Sequence, residues 1–529
     1  METAPPERRH HTDADEQLLH KLGYAQELFR AMGGFQNFAI SFTIISILAG
    51  CLTSYFIAFN NGGPVAISWG WLIVGGFCIV VAMAMGEIAS TFPTAGGLYY
   101  WASKLGSAGW GWFTGWFNLI GQIAVTAAIC YGAAIFGTSL LNLLFDYPNS
   151  VGWTFVTFSV IMLLSAIVNT FGVSVTALLN TVSAWWHMAG VLFIVLVLIV
   201  VPDDHQSVGY VFGETINNSG FSGENFGDLT FWFVFGIGLL MAQYTITGYD
   251  ASAHMAEETR SASRSAAVGM VMSVVMSVIF GWVLLLAVTF AIPDTQGVLD
   301  AVGNAVTYIW ETSMGTGWAQ VLLFIAVVAQ IFCNTASVTS ASRMLYAFSR
   351  DRAVPGHGYW RRISKDRVPV HAVWAIAVLS WALMIPTLWN AYIGYLVGTS
   401  IAVIGLYIAF GIPIYLRLRA GASFERGAWH LGERYKLFDV VALAWIVLIC
   451  ILFLMPVTPT GIPWNDDFNW EVVNYAPLTV GGAFLLFGGW WLLSANRWFT
   501  GPVRQGTEEE LERMEDEIEA SSGMRPETA

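Results

Sequence analysis

Twelve apolar runs, each near the roughly 20 residues a helix needs to cross a bilayer, fill most of this 529-residue sequence. They begin near Phe35, Ile67, Trp110, Val151, Val173, Leu229, Ala267, Trp318, Val370, Ala391, Phe438 and Ala476. Pro and Gly punctuate their ends, as at Gly62-Gly63-Pro64, Pro202, Pro293, Pro355 and Pro456. The segments between the runs are sorted by charge. If the runs alternate in direction and both termini share one side, all 23 Lys and Arg fall on that side. They lie before the first run (Arg8, Arg9, Lys21, Arg30), after the second (Lys104) and after the sixth (Arg260, Arg264). The rest follow the eighth (Arg343 through Arg367) and the tenth (Arg417 through Lys436), or sit in the tail (Arg497 through Arg525). The opposite loops carry Asp203, Asp204, Glu214, Glu224, Asp466 and Asp467 instead. One missed or extra run would invert every later segment and destroy the sorting. The positive-inside rule therefore predicts an all-α polytopic membrane protein with twelve transmembrane helices and both termini cytoplasmic, in a plasma or inner membrane.

Composition agrees. Charged residues make up 11% of the chain, against roughly 25% in soluble domains, too few to cover a water-facing surface. A net charge of −13 has the wrong sign for a nucleic-acid partner. The cysteines Cys51, Cys78, Cys130, Cys333 and Cys450 lie in apolar runs without a CxxC, which indicates neither a disulfide framework nor a zinc site. No GxxxxGK loop is present, so no nucleotide partner is expected. The histidines are scattered; His254 ahead of Glu257-Glu258 reads as a solvated helix end rather than a metal site, and no cofactor or enzymatic role is expected. The polar first thirty residues predict no cleaved signal peptide. Trp69, Trp71, Trp110, Trp112, Trp490, Trp491 and Trp498 suit interfacial belts. Gln17 to Met32 reads as a short helix on the inner surface, and the acidic tail Thr507 to Ala520 as a solvated helix. The expected organisation is a cytoplasmic segment 1–34, a first repeat 35–201, an outer loop 202–228, a second repeat 229–420, an inner loop with two further helices 421–498, and a tail 499–529.

Two runs are interrupted. The first contains Ser46-Ile47-Leu48-Ala49-Gly50-Cys51, and the sixth contains Tyr244-Thr245-Ile246-Thr247-Gly248-Tyr249-Asp250. They lie five runs apart, so they correspond if runs one to five and six to ten are two repeats. Because five is odd, the second copy enters the membrane inverted. Matched interruptions of this kind point to a transporter's midplane site. Unwound backbone there leaves N–H and C=O groups that only a cavity or ligand can satisfy, and half-helix N-termini favour a carboxylate. Gly50 and Gly248 fit two readings, close helix packing or close approach of backbone to a ligand. Asp250 reads as a gate or cation-recognition group, or as an acid near enough to the inner end to be half solvated.

Several ordered motifs resemble one family. They are Gly23-Tyr24 through Arg30 leading to Phe38-Ala39-Ile40-Ser41-Phe42, and Gly86-Glu87-Ile88 before Pro93-Thr94-Ala95-Gly96-Gly97-Leu98-Tyr99-Tyr100-Trp101. Thr247-Gly248-Tyr249-Asp250 before His254-Met255-Ala256-Glu257-Glu258-Thr259 and Ala341-Ser342-Arg343 before Ser349-Arg350-Asp351 complete the set. From about Leu22 to Trp498 the chain resembles the amino acid–polyamine–organocation permeases, most closely their amino acid/choline transporter branch. The resemblance implies the leucine-transporter-type fold, a five-plus-five inverted repeat with two extra helices. It implies a secondary transporter for amino acids or related amines such as 4-aminobutyrate, choline or polyamines. The implied substrate contacts are Ser46, Ile47, Ala49 and Gly50 on the first helix and Tyr244, Thr245, Thr247, Gly248 and Asp250 on the sixth. Sodium-coupled relatives would use hydroxyls of the eighth helix, here Thr335, Ser337, Thr339 and Ser340 beside Asn334. Proton-coupled relatives place a Lys on the fifth helix, where this chain has His187 in Trp185-Trp186-His187-Met188-Ala189-Gly190. A histidine can cycle protons, and it also serves as a residue held by one structural hydrogen bond. The coupling ion is thus expected to be H+, with Na+ the alternative. An exchanger remains open within the transporter class, and a channel or receptor outside it.

Overall fold

The computed structural model describes residues 14–171 and 173–522, so Arg8, Arg9, His10 and Arg525 lie outside the described residues. Span 1 runs Gly34–Ile45 and, after a break, Gly50–Thr53 and Tyr55–Asn60. Spans 2 to 5 are Pro64–Thr91, Ala108–Phe145, Val151–Val168 and Val173–Val200. Span 6 runs Leu229–Gly238, Leu240–Thr245 and, after a break, Ala251–His254. Spans 7 to 12 are Ala262–Phe290, Thr316–Arg350, Val370–Leu383, Ala391–Ala420, Tyr435–Leu454 and Ala476–Leu493. Eleven of these are long and apolar enough to cross a membrane, and span 6 supplies a shorter apolar helix, Leu229–Thr245. All twelve runs are therefore helices, and among the described residues no β-strand forms. Local chemistry sets several ends: Pro64 opens span 2 behind Gly63, whose φ is +75°, and the Asn390 side chain accepts from the Ile393 N–H at the start of span 10.

The contacts reveal the repeat. Span 1 packs on spans 5 and 7, and span 6 packs on spans 10 and 2. Span 3 touches spans 4 and 10, as span 8 touches spans 9 and 5. Span 4 meets span 8 as span 9 meets span 3, while spans 2 and 7, and spans 3 and 8, pair with each other. Each contact thus has its mate five spans on. Spans 11 and 12 lie outside this relation, packing on spans 2 and 10 and on spans 3 and 10.

Basic segments gather at one end of the bundle. There Arg343 pairs with Glu258 at 2.8 Å, Arg350 with Glu257 at 2.9 Å and Arg417 with Glu87 at 3.0 Å, all buried. The chain before span 1 differs from a single surface helix. A helix covers Ala14–Leu22 and stops where Gly23 takes φ +103°, a left-handed conformation suited to glycine. The following stretch is extended and buried under the bundle: the Tyr24 hydroxyl donates to Asp351 at 2.8 Å, and Met32 N–H donates to the Glu258 carbonyl at 2.9 Å. The acidic tail is helical over Glu508–Ser522, yet its Leu511 and Glu515 are buried. Glu515 accepts from Gln26 N–H at 2.5 Å and lies 2.8 Å from His20 Nε2, which ties the tail to the N-terminal segment. Trp71 and Trp112 also depart from the belt reading: both are buried, donating to the carbonyls of Val278 and Phe487 at 2.8 and 3.0 Å, whereas Trp69, Trp110 and Trp498 stay exposed.

Spans 3 and 10 cross at glycines. A Cβ on Gly121 would lie 2.7 Å from Leu406 N, and one on Gly405 would lie 3.0 Å from Gly121 Cα. Gly489 on span 12 has nothing within 4 Å of its Cβ position. Gly121→Leu should therefore cost at least the upper end of the about 1–3 kcal/mol typical of overpacking and lose the monodisperse peak in size-exclusion chromatography. Gly489→Leu should elute and melt like the parent.

Candidate functional site

Both interruptions are present. Span 1 leaves the helix at Ser46, which is left-handed with φ 35°, and resumes at Gly50. Span 6 leaves at Ile246 and resumes at Ala251, with Gly248 at φ +78° between them. Ser46 O accepts from Ala49 and Gly50 N–H at 2.8 and 3.0 Å, which closes the first break into a turn. The N–H groups of Ile47 and Leu48, and of Thr247, Gly248, Tyr249 and Asp250, have no partner among the described residues. All six residues are buried. Buried N–H groups without partners cost free energy, so their concentration at two facing breaks demands an acceptor.

The breaks touch. A Cβ on Gly50 would fall 2.9 Å from Thr245 Cα, and one on Gly248 would fall 2.3 Å from Ile44 Cγ2. Ser41 Oγ on span 1 donates to the Tyr249 carbonyl at 2.9 Å and also bonds Ser252 Oγ at 2.7 Å. Above the breaks Thr53 bonds the Tyr395 hydroxyl at 2.9 Å, and the Tyr244 and Tyr395 rings meet edge to face at 6.3 Å. Ser46, Ile47, Ala49, Gly50, Tyr244, Thr245, Thr247, Gly248 and Asp250 are therefore brought together in one buried region. The structure adds Ser41, Asn118, Gln122, Tyr395 and Tyr407. Ser41 lies on the turn before the first break; no spacing along the chain connects the other four to the breaks.

His187 reaches the first break. Its Nε2 lies 2.7 Å from Ser46 Oγ, and its Nδ1 lies 2.8 Å from the Ser183 carbonyl. A carbonyl only accepts, so Nδ1 carries hydrogen and a neutral ring accepts the Ser46 hydroxyl proton at Nε2. The hydroxyls of span 8 point elsewhere. Thr335 donates to the Ile331 carbonyl and lies 3.3 Å from Ser165 Oγ, Thr339 donates to Asn169 Oδ1, and Ser337 bonds Thr126. Ser340 Oγ has no partner among the described residues, and Asn334 donates to Ser165. The span 1 carbonyls that face span 8 already accept bonds, Ile44 O from Cys333 at 3.2 Å and Leu48 O from Gln330 at 3.2 Å.

Asp250 is fully buried, and its Oδ2 accepts from Gln122 at 2.9 Å and Asn118 at 3.2 Å. His254, one turn on, lies 3.2 Å from the same oxygen. The reading of His254, Glu257 and Glu258 as a solvated helix end is corrected: all three are buried. They sit there because Arg350 and Arg343 neutralise the two glutamates, and burial of the Glu258 carboxyl still pushes it above its usual range, against the pull of Arg343.

The two glycines make different demands, which mutation separates. Gly248→Ala meets both the Ile44 methyl and a left-handed backbone worth roughly 1–2 kcal/mol, so Ile44→Ala should restore only part of its lost melting temperature. Gly50→Ala meets the Thr245 hydroxyl and methyl, which truncation removes, and its Cα, which truncation does not. Thr245→Ala should accordingly give only partial rescue in the same thermal unfolding assay, limited by backbone contact rather than by backbone conformation.

Comparison with known proteins places this geometry. A family model described as amino acid permease matches residues 32–484. The amino-acid permease BAT1 of Arabidopsis thaliana is 36% identical over 511 residues, covering 93% of this chain and 96% of that one. Its homologue in Oryza sativa subsp. japonica is 38% identical over 513 residues, with coverage of 93% and 96%. The GABA-specific permease of Saccharomyces cerevisiae is 29% identical over 506 residues, covering 92% of this chain and 86% of that one. With a broken-helix pair at its centre and relatives named as permeases along nearly its whole length, the chain belongs to the amino acid permease family, a multi-pass membrane transporter of amino acids or related amines and not an enzyme.

Proposed function

We propose that this transporter is a proton-coupled symporter that works by alternating access, in a plasma or inner membrane, with both termini cytoplasmic. The observation that carries the reading is the set of unpaired N–H groups at Ile47, Leu48 and Thr247 to Asp250. A substrate carboxylate satisfies them, and the dipoles of the adjoining half-helices add attraction. Ser46, Ala49, Gly50, Tyr244, Thr245 and Gly248 shape the same pocket. In this reading residues 35–201 and 229–420 are the two moving repeats, and 421–498 adds flanking helices.

Protons are favoured over sodium for a physical reason. The hydroxyls of Thr335, Ser337 and Thr339 are engaged with spans 3 and 4, and the facing carbonyls of Ile44 and Leu48 are engaged by Cys333 and Gln330. Those oxygens keep free lone pairs, but a sodium ion would have to turn the three hydroxyls from spans 3 and 4 toward the span 1 carbonyls. His187 instead holds Ser46 at the break, and protonation reverses the sense of that hydrogen bond, because an imidazolium donates at Nε2. That change reaches the first break directly.

The test is uptake into proteoliposomes from a panel of amino acids, 4-aminobutyrate, choline and polyamines. An imposed pH gradient should drive accumulation of at least one substrate, while a sodium gradient alone should not. His187→Gln should lose gradient-driven accumulation. Accumulation driven by sodium alone overturns the coupling, and equilibration without accumulation under any gradient favours a channel. Cysteine labelling should place Arg513 in the cytoplasm and Asp203 outside.

A further inference from the structure

Hydrogen-bond accounting around His254 identifies a group that holds a proton. His254 Nδ1 lies 3.0 Å from the Ala95 carbonyl. That oxygen only accepts, so Nδ1 bears hydrogen. The other ring nitrogen, Nε2, faces Asp250 Oδ2 at 3.2 Å. A neutral ring with hydrogen on Nδ1 presents a lone pair at Nε2, and an ionised carboxylate presents lone pairs too. The contact is therefore repulsive unless one more proton sits on the pair, on Nε2 or on the carboxyl. Oδ2 already accepts from Asn118 and Gln122, while Oδ1 has no partner among the described residues. Those donors fit either an imidazolium facing a carboxylate or a carboxylic acid whose Oδ2–H donates to Nε2.

No neighbouring charge replaces that proton. Both side chains are fully buried. Around them, span 1 presents the neutral Asn37 and Ser41, which bond the backbone beside Ser252. Span 3 presents the amides Asn118 and Gln122. Span 8 presents Arg343 and Arg350, each already paired, with Glu258 and Glu257. Tyr346 of the same span donates to Glu27 at 2.5 Å. The helix Gly97–Leu105 carries Tyr99, which donates to Asp351, Tyr100, which donates to the Leu22 carbonyl, and Lys104, which lies over the Tyr100 ring. Tyr249, next to Asp250, shares a hydrogen bond with the Tyr407 hydroxyl at 3.4 Å. Span 7, which also packs on this segment, contains Arg264 as its single charged residue.

We propose that Asp250 and His254 are a proton-binding pair that takes up the coupling proton together with substrate, with His187 acting after it at the first break. The proposal rests on the proton-coupled reading above and supplies its proton site on the second repeat. Two placements connect the pair to transport. Asp250 ends the run of unpaired N–H groups that begins at Thr247, so a substrate carboxylate held there puts a negative charge beside the pair. Substrate and proton then favour each other's binding, and by linkage the effect is reciprocal. On its other side the pair is joined to the closed basic end: Ala95 accepts from His254 with its carbonyl and donates its N–H to Glu257 at 3.0 Å, the partner of Arg350. One residue thus links the proton to the Glu257–Arg350 ion pair. The imidazole has room because Gly97, at φ +47°, would place a Cβ 3.1 Å from the ring.

The test measures protons and substrate on the purified full-length chain. With the substrate found in the uptake panel, the wild-type dissociation constant should rise with pH, at most about tenfold per pH unit, the slope for one linked proton. A pH-sensitive dye in weakly buffered solution should report proton uptake on substrate addition. His254→Gln and Asp250→Asn should each flatten the pH dependence of affinity and abolish the dye signal. Difference infrared spectroscopy, which needs no transport, should show a pH-dependent band that disappears in Asp250→Asn. Should either variant fail to purify as a folded protein, His254→Asn and Asp250→Ser carry the same measurements. Wild-type proton uptake that persists in both variants overturns the pair while leaving proton coupling in place. A wild type whose affinity ignores pH and whose uptake ignores a pH gradient overturns the coupling itself.

Discussion

Lipid offers no hydrogen bonds, so every backbone polar group inside the bilayer must find its partner in the protein or in what the protein carries. Ten of the twelve spans meet that demand by remaining helical across the membrane. Spans 1 and 6 do not, and the rest of the architecture is arranged around that exception. Their breaks are surrounded by spans 2, 3, 5, 8 and 10, which keeps the unwound residues away from lipid. Carbonyls at the first break are met by Cys51, Cys333 and Gln330. The N–H groups are left without partners among the described residues, and in the proposed reading a substrate carboxylate, which every amino acid supplies, is their acceptor.

A second constraint governs the basic end. Burying an ion pair gains little over packing apolar groups of the same shape, because desolvation offsets the attraction. Three such pairs nevertheless close this end, and two of them have cation–π support as well: Arg350 lies 3.8 Å from the Tyr24 ring, and Arg417 lies 4.0 and 3.9 Å from Phe424 and Tyr435. What an ion pair offers is reversibility. When it parts into water each charge is rehydrated, whereas an apolar contact that opens exposes surface with nothing in return. In the proposed alternating-access cycle, contacts that form and separate suit the first kind. The terminal segments reinforce the closure, since Asp351 accepts from Tyr24, Tyr99 and the Val503 N–H together.

Much of this was legible in one dimension. Span number follows from run length and from the sorting of Lys and Arg, because the bilayer imposes a fixed length and the basic segments a fixed alternation. The breaks at Ser46–Ala49 and Ile246–Asp250 were visible as glycine and hydroxyl residues in otherwise apolar runs. Contacts between spans were not visible. Asp250 meets Gln122, which is 128 positions away, and His187 meets Ser46 across 141. Nothing in the local pattern encodes those pairings. Trp71 and Trp112 were misplaced for a related reason: position near the end of a run suggests a belt, but which face of the helix a ring occupies depends on its neighbour. The segment Gln17–Met32 was read as one helix from its scattered leucines, while Gly23 ended the helix and the chain went under the bundle.

Gly50 and Gly248 show why packing and function are not competing explanations here. Each lacks a side chain because the other span's residue, Thr245 or Ile44, occupies the place where one would be. That closeness is what brings the two breaks face to face. Were the spans held apart by ordinary side chains, the N–H groups of Ile47 and Leu48 could not share one acceptor region with those of Thr247 to Asp250. Each half-site would then be an isolated pair or short run of donors exposed to whatever filled the gap. In the proposed reading, close packing of the two spans is therefore the means by which one ligand charge is shared between two repeats, and a shift of either repeat against the other would change how well that charge is held.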